Sequence, residues 1–306
     1  MIQYYAPTIP PSPRPRRDKL SYILDTLGEF EEILNAEMYV DLGKLRRSSR
    51  HGIPPEVRGE VWKFLLGIEQ ADRSHEMSSI KARAEEYQLM DKENAESSKR
   101  IHGEVSRYCR KMGIPTNSSK LATFENVISA YLNRNKTVDY SPALVSLCGP
   151  FVETIDDESE VYFCFERLMN ILSEHLEECG VNEIVAKFLT LFRTAIPDLY
   201  NYFQEEEVDL NEWATSWLLH LLAKELPLEC LFRLWDTYFS SNDFLELHMY
   251  VCISMLKYYK ENLEELEHSE IRALLLRLPE LDVDQVIHQA INLMHEIKER
   301  EISDAF

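Results

Sequence analysis

Apolar residues recur at intervals of three and four along most of this chain, while the alternation expected of strands is missing. Leu20, Ile23, Leu24, Leu27, Phe30, Ile33 and Leu34 set the pattern. Val57, Val61 and Leu65 make a second row, with Trp62 and Leu66 beside it. Similar runs cover 124–132, 161–176, 184–192, 213–223, 228–238, 245–259 and 283–297. Only nine glycines occur among 306 residues, against an average usage of roughly 7%. Hairpin dipeptides such as Asn-Gly are missing too. The expected fold class is therefore all-α. No fixed-period repeat appears, so a helical array is a poor fit.

Hydrophobic residues make up 45% of the chain, enough for a large core in one or two closely packed lobes. No segment approaches the roughly 18 consecutive apolar residues of a membrane span, so direct insertion is not expected. Met1 to Tyr5 lacks the basic-then-apolar order of a secretory signal. Residues 1–17 are rich in Pro and Arg and are expected to be a disordered tail. The domain is expected to occupy 18–300, including an N-terminal helical extension, with a short C-terminal tail over 301–306.

The net charge of −20 is unevenly spread. Residues 1–150 carry 22 Lys/Arg and 20 Asp/Glu, whereas 151–306 carry 11 and 33. Such an acidic surface argues against nucleic acid and anionic membrane as direct ligands. The acidic second half is chiefly a solubilising surface, and it also offers a face to a protein complex partner. One basic island stands out: from Lys99 to Lys120 there are six Lys/Arg and a single acid, Glu104. A phosphate-bearing partner would suit it, as would a plain solvated loop.

The six cysteines sit inside apolar patterns with no CxxC pair, as expected of reduced thiols in a cytoplasmic protein. The nine histidines show no metal-ligand spacing, so no metal is expected. No Gly-rich phosphate loop is present, so no cofactor is expected, and the chain is not itself a GTPase or kinase.

Four ordered motifs carry a resemblance. The first is Gly52-Ile-Pro-Pro-Glu-Val-Arg58-Gly-Glu-Val-Trp62-Lys-Phe-Leu-Leu-Gly67. The second is Ile101-x-x-Glu104-x-x-Arg107, and the third is Tyr140-Ser-Pro142-Ala-Leu144. The fourth runs from Trp217 through Leu226-Pro227 to Leu234-Trp235-Asp236 and Phe239. Their order over roughly residues 50–290 resembles the TBC domain, the Rab-type GTPase-activating fold. The first and fourth are specific, and the middle two gain force from order and spacing.

The resemblance implies two packed helical lobes and a small GTPase of the Rab type, in its GTP-bound form, as partner. It implies a role in vesicle trafficking, with endomembranes reached through partners. The chain would then activate a GTPase rather than run substrate chemistry of its own. Arg107 corresponds to the family's arginine finger, expected to be exposed on a loop or helix end within reach of Tyr140. Glu104 stands where the family has an arginine-holding aspartate, and Tyr108 where it usually has threonine. Pro142 occupies the place of the water-orienting glutamine and has no side-chain amide and no backbone N–H. Arg58, Trp62, Trp217, Trp235 and Asp236 are expected to be architectural, and Asp236 to cap or pair. Three functions stay open: an activator working through Arg107, a TBC-fold binding module or scaffold without catalysis, and a helical adaptor unrelated to GTPases.

Overall fold

The computed structural model describes residues 19–115 and 118–304, and the tail expected at 1–17 lies outside them. Among the described residues the chain is all-α, and an isolated β-bridge joins Tyr39 to Asp72. The first lobe contains α1 (Lys19–Leu34), α2 (Leu42–Ser49), α3 (Pro55–Leu65), α4 (Glu76–Gln88), α5 (Ser98–Met112), α6 (Ser118–Arg134), α7 (Ala143–Thr154) and α8 (Glu158–Cys179). The second contains α9 (Val181–Ala195), α10 (Pro197–Glu205), α11 (Leu210–Leu219), α12 (Leu228–Ser240), α13 (Phe244–Tyr258), α14 (Lys260–Leu263), α15 (His268–Leu276) and α16 (Val283–Asp304). The last helix continues to Asp304, into the segment expected to be a tail.

The two lobes meet where α12 packs against α2, α3 and α7. Trp62 of α3 is fully buried there, its ring 5.1 Å from Phe239, 5.7 Å from Phe151 and 6.1 Å from Trp235. Pro54 and Pro55 start α3, where a first turn has no N–H to lose. Gly59 lets α3 run tightly along the end of α7, since a Cβ there would lie 2.1 Å from the Thr154 carbonyl oxygen. Asp236, fully buried, fastens the seam. Its carboxylate accepts from the Ile53 N–H at 2.9 Å, the Trp62 indole N–H at 2.9 Å and Arg58 Nε at 3.2 Å. Arg58 in turn donates to the Ile53 carbonyl at 2.8 Å. These residues have the structural duties expected of them. Arg233, by contrast, turns away from Asp236 to Asp284 and the Arg50 carbonyl.

One helix stops early. The apolar run 213–223 reads as continuous, but α11 ends at Leu219, and Leu221 and Leu222 take φ of 50° and 60°. Left-handed leucines cost roughly 1–2 kcal/mol each. Both side chains are fully buried, and Trp235 Nε1 donates to the Leu221 carbonyl at 3.3 Å. Tertiary packing overrides the local periodicity at this turn. No helix among the described residues is long and apolar enough to cross a membrane.

Candidate functional site

Helix α5 carries the candidate site because only one of its faces is apolar. Ile101, Val105, Tyr108 and Cys109 are buried at spacings of four, three and one. They pack α5 against α6 and α7. Lys99, Arg100, Arg107 and Arg110 are left on the exposed face. Gly113, with φ of 69°, ends the helix as a left-handed cap. Arg107 therefore lies inside a helix, two turns from its start, and not on a loop or helix end. The sequence around it is so polar that only the spacing of its four buried residues marks it as helical.

The Arg107 side chain is 68% exposed. Glu104, one turn earlier and largely shielded, accepts from Arg107 Nε at 3.0 Å and from Nη2 as well. An exposed i,i+3 pair of this kind contributes only a few tenths of a kcal/mol. Its consequence is orientation, because one carboxylate oxygen takes both guanidinium donors. The longer glutamate arm thus still reaches the arginine.

Tyr140 comes from the loop before α7. Its ring lies 4.5 Å from the Arg100 guanidinium carbon, a cation–π contact. Its hydroxyl is buried with no hydrogen-bond partner. Burial pushes the phenol pKa up and Glu104 adds to that, while Arg100 and Arg107 pull it down. The phenol thus sits in the field of the Glu104–Arg107 pair, and the Arg100 contact ties the loop of the third motif to α5. Pro142 is exposed at the N-cap of α7, with φ of −54° and ψ of −25°. Ala143 and Leu144, which follow it, are buried. The Ala143 N–H donates to Ser141 Oγ at 3.3 Å, and no side-chain amide stands at position 142.

Tyr108 explains why a residue larger than threonine fits after Arg107. Its ring is buried 5.8 Å from the Phe124 ring and above Gly149. The ends of the basic island are tied down. Lys120 donates to Glu153 at 2.6 Å, and His102 Nδ1 is 2.8 Å from Glu125. Lys111 donates to the Lys224 carbonyl, joining α5 to the left-handed turn of the second lobe. Arg100 was legible only as part of the island. Its contact with Tyr140 joins positions 40 apart, and no spacing rule announces it.

A profile of the Rab-GTPase-TBC domain matches residues 55–264, a span containing Arg107, Tyr140 and Trp235. The chain belongs to the Rab-GTPase-TBC domain family. The TBC domain here is similar to human TBC1 domain family member 22B, with 27% identity over 289 residues, 83% of this chain and 57% of that protein. It is also similar to the GTPase-activating protein gyp1 of Schizosaccharomyces pombe, with 24% identity covering 85% of this chain and 58% of that one. The chain thus spans less than two thirds of the length of these relatives. The solved Ypt/Rab-GAP domain of Gyp1p superposes with a TM-score of 0.74 at 20% identity, covering 90% of this chain and 99% of that domain. The Chlamydomonas flagellar RabGAP TBC domain gives 0.65 at 22% identity, over 88% and 93%. These two structures share the TBC fold.

Proposed function

We propose that this TBC domain is a GTPase-activating protein for a Rab-type small GTPase, engaging the GTP-bound form and supplying Arg107 in trans. Hydrolysis of GTP spreads charge over the transferring phosphoryl group, and a fixed cation there is worth roughly 10³–10⁵ in rate. Arg107 presents an exposed guanidinium whose angle is set by Glu104, and that pairing is the observation that carries the reading. Tyr140 would hold Arg100 against the same surface. Pro142 stands where a water-orienting glutamine would act, and a missing polar group of that kind costs about 10²–10³. The proposal is therefore of activation by one finger, weaker than a complete site would give. Membership of the family supports the choice of partner and a setting in vesicle trafficking. The acidic second half would be the face open to a further protein partner.

Pro142 favours a second reading, a TBC domain that engages its GTPase without accelerating it. Single-turnover GTP hydrolysis by a panel of Rab proteins, with and without this chain, separates the two. Acceleration that saturates with the chain supports the first. Saturable binding of a GTP-loaded Rab at an unchanged rate supports the second. Neither binding nor acceleration across the panel overturns both.

A further inference from the structure

Gly103 is half-buried and lies among the exposed cations of α5, where neither packing nor backbone geometry asks for glycine. It lies within the helix and is absent from the positive-φ residues. A Cβ built there meets nothing within 4 Å. Glycine in a helix interior costs roughly 0.5–1 kcal/mol relative to alanine, so the position sacrifices helix stability with no intramolecular return. Its neighbours on the face are cations: Lys99 at i−4, Arg100 at i−3 and Arg107 at i+4, with Arg110 one further turn on. Among the described residues neither Lys99 nor Arg110 is paired with a carboxylate. The one acid of the face, Glu104, is already held by Arg107. In a chain of net charge −20 this is an open glycine on a helix face that carries four cations and a single acid, Glu104.

Gly28 makes a useful comparison. It is likewise an open glycine inside a helix, α1, and is more exposed than Gly103, but its neighbours on the helix surface include Asp25, Glu31 and Glu32. Openness alone therefore does not distinguish Gly103, whereas its cationic neighbours do.

We infer that Gly103 is the point of closest approach for the nucleotide-bearing face of the GTPase. Its missing side chain lets an anionic, phosphate-presenting loop lie against α5 between Arg100 and Arg107. The argument is charge complementarity together with the gap, and it rests on the function proposed above. Gly103 is thus a docking and positioning residue. It sets the distance between Arg107 and the phosphoryl group without reacting itself. A methyl group there would hold the partner off slightly, and a longer side chain would hold it off fully.

The test uses the whole chain with Gly103→Ala, Gly103→Gln, Gly28→Ala and Gly28→Gln. Thermal melting checks the helix. Affinity for a GTP-loaded Rab from the panel, and the single-turnover rate at saturation, check the surface. Both Gly103 variants should melt at or above the wild-type temperature, since alanine and glutamine favour helix over glycine. Gly103→Gln should nevertheless weaken association by roughly tenfold or more, and Gly103→Ala by less. The Gly28 variants should bind as wild type does. Wild-type affinity in Gly103→Gln would overturn the inference while leaving the proposed function standing. If wild type binds no GTPase in the panel, the proposed function falls and takes the inference with it. Binding to anionic lipid vesicles that Gly103→Gln abolishes, with GTPase affinity unchanged, would assign the face to a membrane surface instead.

Discussion

Tyr108 and Gly149 are matched: a Cβ on Gly149 would lie 2.1 Å from the tyrosine hydroxyl oxygen. The large residue after Arg107 on α5 fits only because α7 offers no side chain beneath it. That fit fixes the rotation of α5 about its axis, and hence turns Arg107 outward.

Gly149→Ala should therefore destabilise the protein by about 1–3 kcal/mol through overpacking, since the tyrosine ring is too stiff to bend aside. Combined with Tyr108→Thr, the cost should fall below the sum of the two single changes by ~1 kcal/mol, because contacting residues couple. Tyr108→Phe should be neutral or stabilising, because its buried hydroxyl has no hydrogen-bond partner. Urea denaturation of wild type, Gly149→Ala, Tyr108→Thr and the double variant gives the cycle, and strict additivity would contradict the fit.

The buried carboxylate at the lobe seam makes a second prediction. Burial pushes Asp236 up to about 6, against the opposing pull of the Arg58 guanidinium and the Ile53 and Trp62 donors. Asp236→Ala would leave that guanidinium and two N–H groups without their acceptor. Losing one partner of a buried ion pair costs roughly 3–5 kcal/mol. A melting temperature within a degree or two of wild type would contradict the seam described here.

The third prediction concerns acid. His248 is buried between the Tyr238 hydroxyl, 2.7 Å from Nδ1, and the Trp217 carbonyl, 2.9 Å from Nε2. A neutral ring satisfies both, accepting from the phenol and donating to the carbonyl. Burial drives its pKa down from 6.5 to about 4. The unfolded chain binds that proton more readily than the folded one. This share of stability is thus complete above about pH 6.5 and is lost as the pH falls towards 4, up to about 3 kcal/mol. His220 is lowered to about 4 by burial as well and steepens the same slope. The stability gap between wild type and His248→Gln should narrow from pH 7 to pH 4.5. A gap that stays constant would show that the proton does not bind there.

Most of the helical frame was legible because amphipathic periodicity is a local property. The Trp62 and Trp235 motifs announced their burial in the same way. The end of α11 was not legible, because Leu221 and Leu222 are helix formers held left-handed by the core around them. At the site, Glu104 and Arg107 are one turn apart, so their pairing follows from spacing. The Arg100–Tyr140 and Tyr108–Gly149 contacts each join residues 40 or 41 positions apart and depend on how α5 packs against α7. Gly103 reads as an ordinary helix defect until the open space around it is seen.

The central proposal is that Arg107 acts without a water-orienting glutamine, with Pro142 standing at that position. Single-turnover GTP hydrolysis by a Rab that the chain binds tests it, comparing wild type with Arg107→Ala, Arg107→Lys and Pro142→Gln. Arg107→Ala should remove the stimulation, whatever its size up to the roughly 10³–10⁵ of an arginine finger. Arg107→Lys should do the same, because lysine lacks the planar fork. Pro142→Gln should raise the rate, by as much as about 10² if the amide reaches the water. Unchanged hydrolysis with Arg107→Ala, at preserved binding, would contradict the account and leave a domain that binds without activating.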